Sequence, residues 1–254
     1  MNDAPRAEPD GIDRIAPTRR PQGLAVMRQR WARLLFLHWP LPAGDVRPLV
    51  PRGLDVDTYD GQAWVGLVPF VVTGARPVFL PPIPGVSNFA EVNVRTYVHE
   101  RGRDPGVWFF SLDAASRIAV AAARRLYRLG YRFAEMSADT ESETVRFQSR
   151  RVTPGPLPAS CAVRYAPRGP ARHAVPGTLE HFLIERYVLY AAHGPRLYQA
   201  RVHHEAYPVQ DAEVEGLQED LLAAAGIRRP GSPPLAHYAS AVDVEVFPLH
   251  RRKG

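Results

Sequence analysis

The chain has 254 residues, of which 45% are hydrophobic and 23% are charged, and its formal net charge is +6. These proportions are those of an ordinary globular protein, so they exclude a disordered chain and a fibre. The 26 prolines are about twice the usual share and are spread over most of the chain, which excludes a helical bundle because an interior proline breaks a helix.

Residues 1–25 are rich in Pro, Arg and Asp and show no apolar periodicity, which predicts a flexible leader. A single domain is expected over residues 26–250. Its first element is a buried strand from Trp31 to His38, which ends before two prolines. A short helical turn is expected over residues 45–49.

The pair Asp60-Gly61 predicts a tight hairpin turn, because a two-residue type I′ turn needs a positive φ at both positions. The flanking segments, Leu54 to Tyr59 and Gln62 to Val65, have the composition of strands, and we expect them to pair antiparallel. Four prolines between residues 76 and 87 indicate an extended loop that could lie over a pocket.

The segment from Phe89 to Val98 alternates with the period of a strand, so its two faces differ in chemistry. One face is mainly valine, and the other carries four polar groups: Glu91, Asn93, Arg95 and Tyr97. The polar face is either a solvated outer surface or the lining of a cavity, and the alternation alone leaves both open. A further strand is expected from Gly106 to Leu112.

The clearest predicted helix covers Ala114 to Leu129. Ser111 or Asp113 can cap its start, and Gly130 can end it. Apolar residues recur at helical spacing, and we expect the face that they form to dock on the strands: Ile118, Ala122 and Leu126.

The rest of the chain predicts short strands with two helices among them. The strands are expected near residues 132–135, 144–152, 159–165, 197–206 and 243–249. A helix capped by Thr178 runs to Arg186, and a shorter helix spans Glu213 to Ala225. Many short, sequentially paired strands with a few outer helices favour the α+β class, with an antiparallel curved sheet or barrel.

Several classes of partner are excluded by the distribution of charge and apolar residues. The basic residues are scattered, so we expect no nucleic-acid partner. The longest apolar stretch, Trp64 to Val72, is far shorter than the roughly 20 residues that cross a bilayer. The first residues lack the apolar run of a secretory signal. We therefore expect a cytoplasmic protein without a membrane partner.

The sequence contains no hydrolase elbow, P-loop, Rossmann or zinc-protease signature. With one cysteine, Cys161, and no element that gathers three ligands, we expect neither a metal nor another cofactor. His181 and Glu185 are four residues apart on a predicted helix, a spacing that permits metal ligation but is commoner in ordinary surface pairs. His38 follows a buried run, where a hydrogen-bonded core histidine is the more frequent outcome.

Four segments carry a resemblance to a known family: Tyr59 to Phe70, Phe89 to Val98, Gly106 to Ala114, and Glu185 to Tyr187. In order and spacing they resemble the YqjF-like family of uncharacterised bacterial proteins, a domain of unknown function assigned to the acetoacetate decarboxylase-like superfamily. This resemblance implies a closed or nearly closed antiparallel β-barrel with a few flanking helices and a ligand pocket inside.

The decarboxylases of that superfamily join a lysine to a keto acid as a Schiff base. The resemblance places Tyr131 and Arg132 at the positions of the nucleophilic lysine and its lysine neighbour, and Glu91 at that of a strand glutamate. Neither Tyr131 nor Arg132 can form an imine, and the only lysine in the sequence is Lys253. Schiff-base decarboxylation is therefore not expected.

Two functions stay open for the pocket. The protein binds a small anionic or carbonyl-bearing molecule without turning it over, or it is a cofactor-independent enzyme that acts on such a molecule by acid–base catalysis. The resemblance suggests Glu91 and Tyr131 as catalytic groups, and it suggests three groups for ligand binding: Asn93, Arg95 and Arg132.

Two observations would separate these functions. A raised pKa of Glu91 would favour the enzyme, whereas an ion pair of Glu91 with Arg95 or Arg132 would favour binding. Of the two adjacent residues, we expect Tyr131 rather than Arg132 to face the pocket, because a phenol can be buried with a single hydrogen bond. The sequence leaves the oligomeric state open, a homo-oligomer included.

Overall fold

The computed structural model describes residues 11–152 and 159–252. Residues 1–10 of the predicted leader and Lys253 lie outside the described residues. Within the described ranges the strands are β1 (Met27–Pro42), β2 (Asp55–Val56), β3 (Gln62–Pro77), β4 (Phe89–Glu100), β5 (Arg103–Ala114), β6 (Tyr131–Glu141), β7 (Thr144–Arg151), β8 (Ser160–Arg172), β9 (Val188–His193), β10 (Arg196–His203), β11 (Val209–Glu219), β12 (Leu235–Val246) and β13 (His250–Arg251). The α-helices there are α1 (Ala43–Val46), α2 (Arg117–Leu126), α3 (Leu179–Ile184) and α4 (Leu221–Ala224).

The strands form one sheet whose pairings close into a ring. From β5 the order of neighbours is β6, β7, β8, β11, β12, β1, β3 and β4, and β4 pairs with β5 again. β9 and β10 form a second link between β5 and β12. No helix among the described residues is long and apolar enough to cross a membrane.

The sheet is mixed, so the expectation of a purely antiparallel sheet is wrong at one strand. β5 runs parallel to β6 and to β9. The chain passes from β5 through α2 into β6, and a crossover of this kind brings the next strand back in the same direction. The pairings of β4 with β3 and with β5 are antiparallel.

Alternation along the strands sorts the buried apolar side chains into two clusters. On β1, Leu35 belongs to the first cluster and Phe36 to the second; on β4, Val94 belongs to the first and Tyr97 to the second. Successive side chains of a strand point to opposite faces, so β1 and β4 each contribute to both clusters. The polar face of β4 therefore lies on the side of the second cluster.

Part of the predicted leader packs against this sheet. Ile12 is buried, and buried Arg14 forms an ion pair with Asp57. The carbonyl oxygen of Pro17 accepts a hydrogen bond from Arg201 at 2.6 Å. Residues 12, 14 and 17 of this segment thus make contacts with the rest of the domain, whereas its composition predicts a flexible leader.

The tight turn at Asp60-Gly61 is confirmed, with φ values of 49° and 75°. The predicted pairing of its arms is mostly wrong. β2 pairs with β4 instead of β3, and the hairpin is reduced to a single bridge between Tyr59 and Gln62. Local residues favour the turn, but contacts distant in sequence select the partner of so short a strand.

The predicted helix over residues 114–129 is confirmed only in its middle, as α2. β5 continues to the first of these residues, so the helix begins later, and its N-cap is Ser116 rather than Ser111 or Asp113. The Ser116 hydroxyl accepts a hydrogen bond from the backbone N–H three residues further on, at 3.2 Å.

The helix α2 also ends earlier than predicted and docks through other residues. It ends at Leu126 rather than at Leu129. Val120 and the following Tyr127 are buried, whereas Ile118 and Leu126 are each 62% exposed. The predicted docking face is therefore wrong, because the strands cover a different side of the helix.

The helix predicted from Glu213 to Ala225 is wrong over most of its length. Residues 213–219 belong to β11, which pairs with β8 and, at its start, with β12; helix is confined to α4. Glutamate, leucine and glutamine favour helices, but pairing with β8 overrides this preference.

The remaining predicted elements are found with altered bounds. The strands predicted near Trp31 and Phe89 are confirmed and are longer than expected. Thr178 caps α3 as predicted, but the helix ends at Ile184 rather than Arg186. β9 was not predicted. The strand predicted near residues 243–249 overlaps only the end of β12.

Close packing of β5 on β9 supplies a test of the fold at Gly106. A Cβ atom added there would lie 2.4 Å from the carbonyl oxygen of Val188 and 2.7 Å from its Cβ. We expect Gly106→Ala to lower the free energy of unfolding by about 1–3 kcal/mol, since the backbone of β9 would have to move. Urea unfolding measures the change.

The matched control is Gly44→Ala, where nothing lies within 4 Å of the added Cβ. Equal stability of the two variants would contradict the close approach of β5 to β9.

Candidate functional site

A cavity of about 240 Å³ lies against the second apolar cluster. It is lined by residues of β1, β3, β4, β5 and α2, and most of them are apolar. At its opening lie exposed Pro77 and the exposed side chains of Ile118 and Leu126. At its other end lie buried Phe36 and Tyr207. The proline-rich loop thus borders the cavity at Pro77.

Three polar side chains from one face of β4 line this cavity. They are Glu91, Asn93 and Arg95, which are 5%, 5% and 9% exposed. At about 3.4 Å per residue, the Cα atoms of Glu91 and Arg95 are about 14 Å apart along the strand. Glu91 lies at the end of β4 that is paired with the last residue of β5, next to α2, and Arg95 lies toward the buried end.

Tyr131, the first residue of β6, reaches the cavity beside Glu91. Its hydroxyl donates a hydrogen bond to Glu91 Oε1 at 3.0 Å. Burial raises the pKa of Glu91 to about 8, against the opposing effect of this hydrogen bond and with a further increase from nearby Asp113. Burial and Glu91 likewise raise the pKa of Tyr131 well above its usual range. Both groups therefore hold their protons at neutral pH.

Arg132, which we expected among the ligand-binding groups, does not line the cavity. It follows Tyr131 in a strand, so its side chain points to the opposite face. There burial and the charge of Arg151 lower the pKa of Arg132, against the opposing effect of Asp113, which forms a fully buried ion pair with Arg151 at 2.9 Å. Among the described residues, no ion pair joins Glu91 to Arg95 or Arg132.

Arg95 has few partners for a buried cation. Its Nη2 donates to the carbonyl oxygen of Leu183 at 3.2 Å, and its guanidinium lies 5.6 Å from the ring centre of Phe36. Its Nε has no hydrogen-bond partner, and no carboxylate of the described chain forms a salt bridge with it. Because arginine does not lose its proton, the charge stays in place and is unfavourable unless an anion joins it.

An ionic cluster that the sequence did not predict lies behind Arg95. Arg186 Nη1 donates to Asp57 Oδ2 at 2.8 Å, and Arg14 pairs with the same carboxylate. Arg186 also lines the cavity, and it lies over the ring of Tyr97, as does Arg95. Three guanidinium groups and one carboxylate therefore lie at this end. The only indication of this cluster in the sequence was that Arg186 lies in Glu185 to Tyr187, one of the four segments that resemble the family.

His38 is a buried core histidine, as predicted. Its Nε2 is hydrogen-bonded to the Tyr97 hydroxyl at 2.7 Å, and that hydroxyl donates to the carbonyl oxygen of Leu183 at 2.6 Å. Burial lowers the pKa of His38 well below its usual range, so the ring is neutral. His38 therefore holds Tyr97 in position rather than carrying charge to the cavity.

The pair His181 and Glu185 is not arranged as a metal site. The Glu185 carboxylate accepts hydrogen bonds from the Tyr187 hydroxyl and from the backbone N–H of Tyr207. Of the described residues, a different group has its ligand atoms within reach of one ion: Glu180, Asp211 and His237. Arg172 already pairs with both of those carboxylates.

The protonated state of Glu91 can be tested by its effect on stability. Because the pKa of Glu91 is about 8 in the folded protein and 4.5 in the reference state, the folded chain binds the extra proton between these pH values. Relative to Glu91→Gln, the wild-type protein should lose about 1.4 kcal/mol of stability per pH unit as pH rises from 4.5 to about 8.

Denaturant unfolding of both proteins across this range measures the difference. A constant difference between them would mean that Glu91 is ionised at neutral pH.

Comparison with known proteins gives a family and a fold. Residues 28–243 match the DUF2071 family, described as an uncharacterized conserved protein. A relative from Bacillus subtilis (strain 168), the uncharacterized protein YqjF, is 40% identical over 231 residues, which cover 91% of this chain and 94% of the relative.

Three solved structures are similar in fold. An acetoacetate decarboxylase-like enzyme from Sphingomonas wittichii RW1 has a TM-score of 0.61 at 11% identity and covers 91% of this chain and 94% of its own. The enduracididine biosynthesis enzyme MppR, complexed with pyruvate, has a TM-score of 0.61 at 10% identity and covers 91% of each chain. Acetoacetate decarboxylase from Legionella pneumophila has a TM-score of 0.59 at 9% identity and covers 92% of each chain.

Proposed function

The chain belongs to the DUF2071 family, and from the cavity beside β4 we propose that it binds a small molecule that carries an anionic group. One observation carries this proposal: Arg95 is a buried guanidinium that lines the cavity without a carboxylate partner among the described residues. A bound carboxylate would supply the missing anion, and a guanidinium matches it with two parallel hydrogen bonds.

The surroundings of Arg95 support the same proposal. Arg186 adds positive charge at the same end of the cavity, and the apolar walls exclude the water that would otherwise screen that charge. The Oδ1 atom of Asn93 has no hydrogen-bond partner among the described groups, so a hydroxyl or amide on the ligand could donate to it.

We further propose that the ring of strand pairings is a closed β-barrel around the cavity. The pairing of β4 with β5, which completes the ring, supports this architecture. The fold is that of acetoacetate decarboxylase-like proteins, among them MppR, whose structure contains pyruvate, a small carboxylate. We propose that the ligand is not held as a Schiff base, and the presence of a single lysine in the sequence, Lys253, supports this.

The binding test uses hexanoate and its uncharged analogue, hexanol. We expect Arg95→Gln to weaken hexanoate binding at least tenfold, which corresponds to about 1.4 kcal/mol, and to leave hexanol binding unchanged. Isothermal titration calorimetry measures both.

The matched control is Arg132→Gln, the same substitution at a residue of β6 that does not line the cavity. Thermal unfolding checks that each variant is folded. If the wild-type protein does not bind hexanoate, or if both variants weaken binding equally, the anion site at Arg95 is refuted.

Acid–base catalysis by Glu91 and Tyr131 is a second candidate function, favoured by a separate observation. The pKa of Glu91 lies near 8, and its carboxyl group is free of any ion pair with Arg95 or Arg132 among the described residues. A group that changes charge near neutral pH suits proton transfer. In its ionised form Glu91 would take a proton from the carbon next to a ligand carbonyl, and Tyr131 would donate a hydrogen bond to the enolate oxygen.

Proton exchange of a keto acid in deuterated water tests this candidate. We expect wild-type protein to introduce deuterium next to the carbonyl of 2-oxohexanoate, with a rate that rises with pH to a plateau above about 8, since the base must be ionised.

Glu91→Gln should abolish the exchange, and Tyr131→Phe should slow it at least tenfold. Arg132→Gln serves as the control that keeps the wild-type rate. Exchange no faster than in buffer would leave the protein as a binding protein for this class of ligand.

A further inference from the structure

We propose that the ligand is an elongated amphiphile, with its anionic head at Arg95 and an apolar tail that leaves the cavity across the exposed residues of α2. This inference rests on the proposed binding function and names the class of ligand for the same site. The chemical class is an unbranched long-chain carboxylate.

The dimensions of the cavity support an elongated ligand. Arg95 lies near the buried end, whereas Glu91, about 14 Å away along β4, lies at the end next to α2, whose exposed side chains border the opening. The volume of about 240 Å³ exceeds the roughly 150 Å³ that accommodates one benzene ring. An acid of two or three carbons at Arg95 would leave most of this length empty.

The walls between the two ends are suited to a hydrocarbon chain. Beyond the polar groups of β4, the lining runs from Phe36 through Val68 and Phe70 to Met27 near the opening. Such side chains offer no hydrogen bonds to water, so the cavity favours an apolar occupant. Other elements add a few polar lining groups, namely Gln29, Arg76, Tyr131 and Arg186, but the apolar side chains between them still form a path from the head-group site to the opening.

Exposed apolar residues extend this path beyond the opening. Ile118 and Leu126 line the cavity, yet each is 62% exposed. Because Ile118 and Leu126 are continuous with the cavity lining, a tail that leaves the cavity at this point would contact both side chains and cover them. On the other side of the opening, the loop between Pro77 and Val86 carries further exposed apolar side chains: Phe79, Leu80 and Ile83.

Charge at the opening is compatible with entry of an anion. Arg117 begins α2, and Arg124 and Arg125 lie in its last turn, while the helix contains no acidic residue. These arginines attract a carboxylate toward the opening and stay near the surface, since long basic side chains keep their charged ends in water.

The test compares butanoate, octanoate and dodecanoate by isothermal titration calorimetry. For wild-type protein we expect the affinity to rise about fourfold for each added methylene group that becomes buried. In the double variant Ile118→Ser with Leu126→Ser, we expect the gain from octanoate to dodecanoate to be smaller than in the wild-type protein and the affinity for butanoate to be unchanged. Because both residues are exposed, the substitutions spare the apolar clusters.

Leu235→Ser is the matched control, because Leu235 is 42% exposed and does not line the cavity. It should keep the full dependence on chain length.

The outcomes distinguish this inference from the function on which it rests. If butanoate binds as tightly as dodecanoate and Arg95→Gln weakens both, the anion site stands and the tail is refuted. If no carboxylate binds, the proposed function fails as well. If the double variant keeps the full chain-length dependence but dissociates a dimer in analytical ultracentrifugation, a second copy covers α2, and the tail is again refuted.

Discussion

The structure depends on the burial of β4 on both of its faces. β4 pairs with β3 on one side and β5 on the other, and side chains of both faces are shielded from water. Burial of a charged group is unfavourable, so polar side chains at these positions are stable only when they are neutral or paired with a partner. Glu91 does the first, since it holds a proton and accepts a hydrogen bond from Tyr131. Arg95 cannot do so, because a guanidinium stays charged. The same constraint therefore gives a neutral end and a cationic end to one cavity.

The central strand of the site could be predicted because its signal is local. The period of two in Phe89 to Val98 placed Glu91, Asn93 and Arg95 on one face, and that face lines the cavity. Whether the face was inside or outside could not be read from alternation, which is the same in both cases; the family resemblance favoured the inside. Tyr131 and Arg132 are adjacent in a strand, so their side chains were expected to point to opposite faces. Tyr131 was expected to face the cavity because burial of a phenol costs less free energy than burial of a charged guanidinium.

Features that depend on contacts distant in sequence escaped prediction. Asp57 is 43 residues from Arg14 and 129 residues from Arg186, so no spacing reveals their cluster. The partner of β2 and the strand character of β11 are likewise decided by neighbours that lie elsewhere in the chain. The apolar stripe of α2 was identified correctly as a pattern. Its helical spacing indicated an apolar face but did not indicate whether strands or an open cavity would lie against it.

The sparse anchoring of α2 has a consequence for motion. Strand β4 is held by two rows of interstrand hydrogen bonds, whereas α2 is attached mainly through Val120 and the adjoining Tyr127, with Ile118 and Leu126 left at the surface. Segments with few buried contacts open by local unfolding at a small part of the global free energy. We therefore expect amide hydrogens of α2 to exchange with solvent before those of β4. Local unfolding of this one short helix would widen the opening that it borders while every strand pairing stays intact.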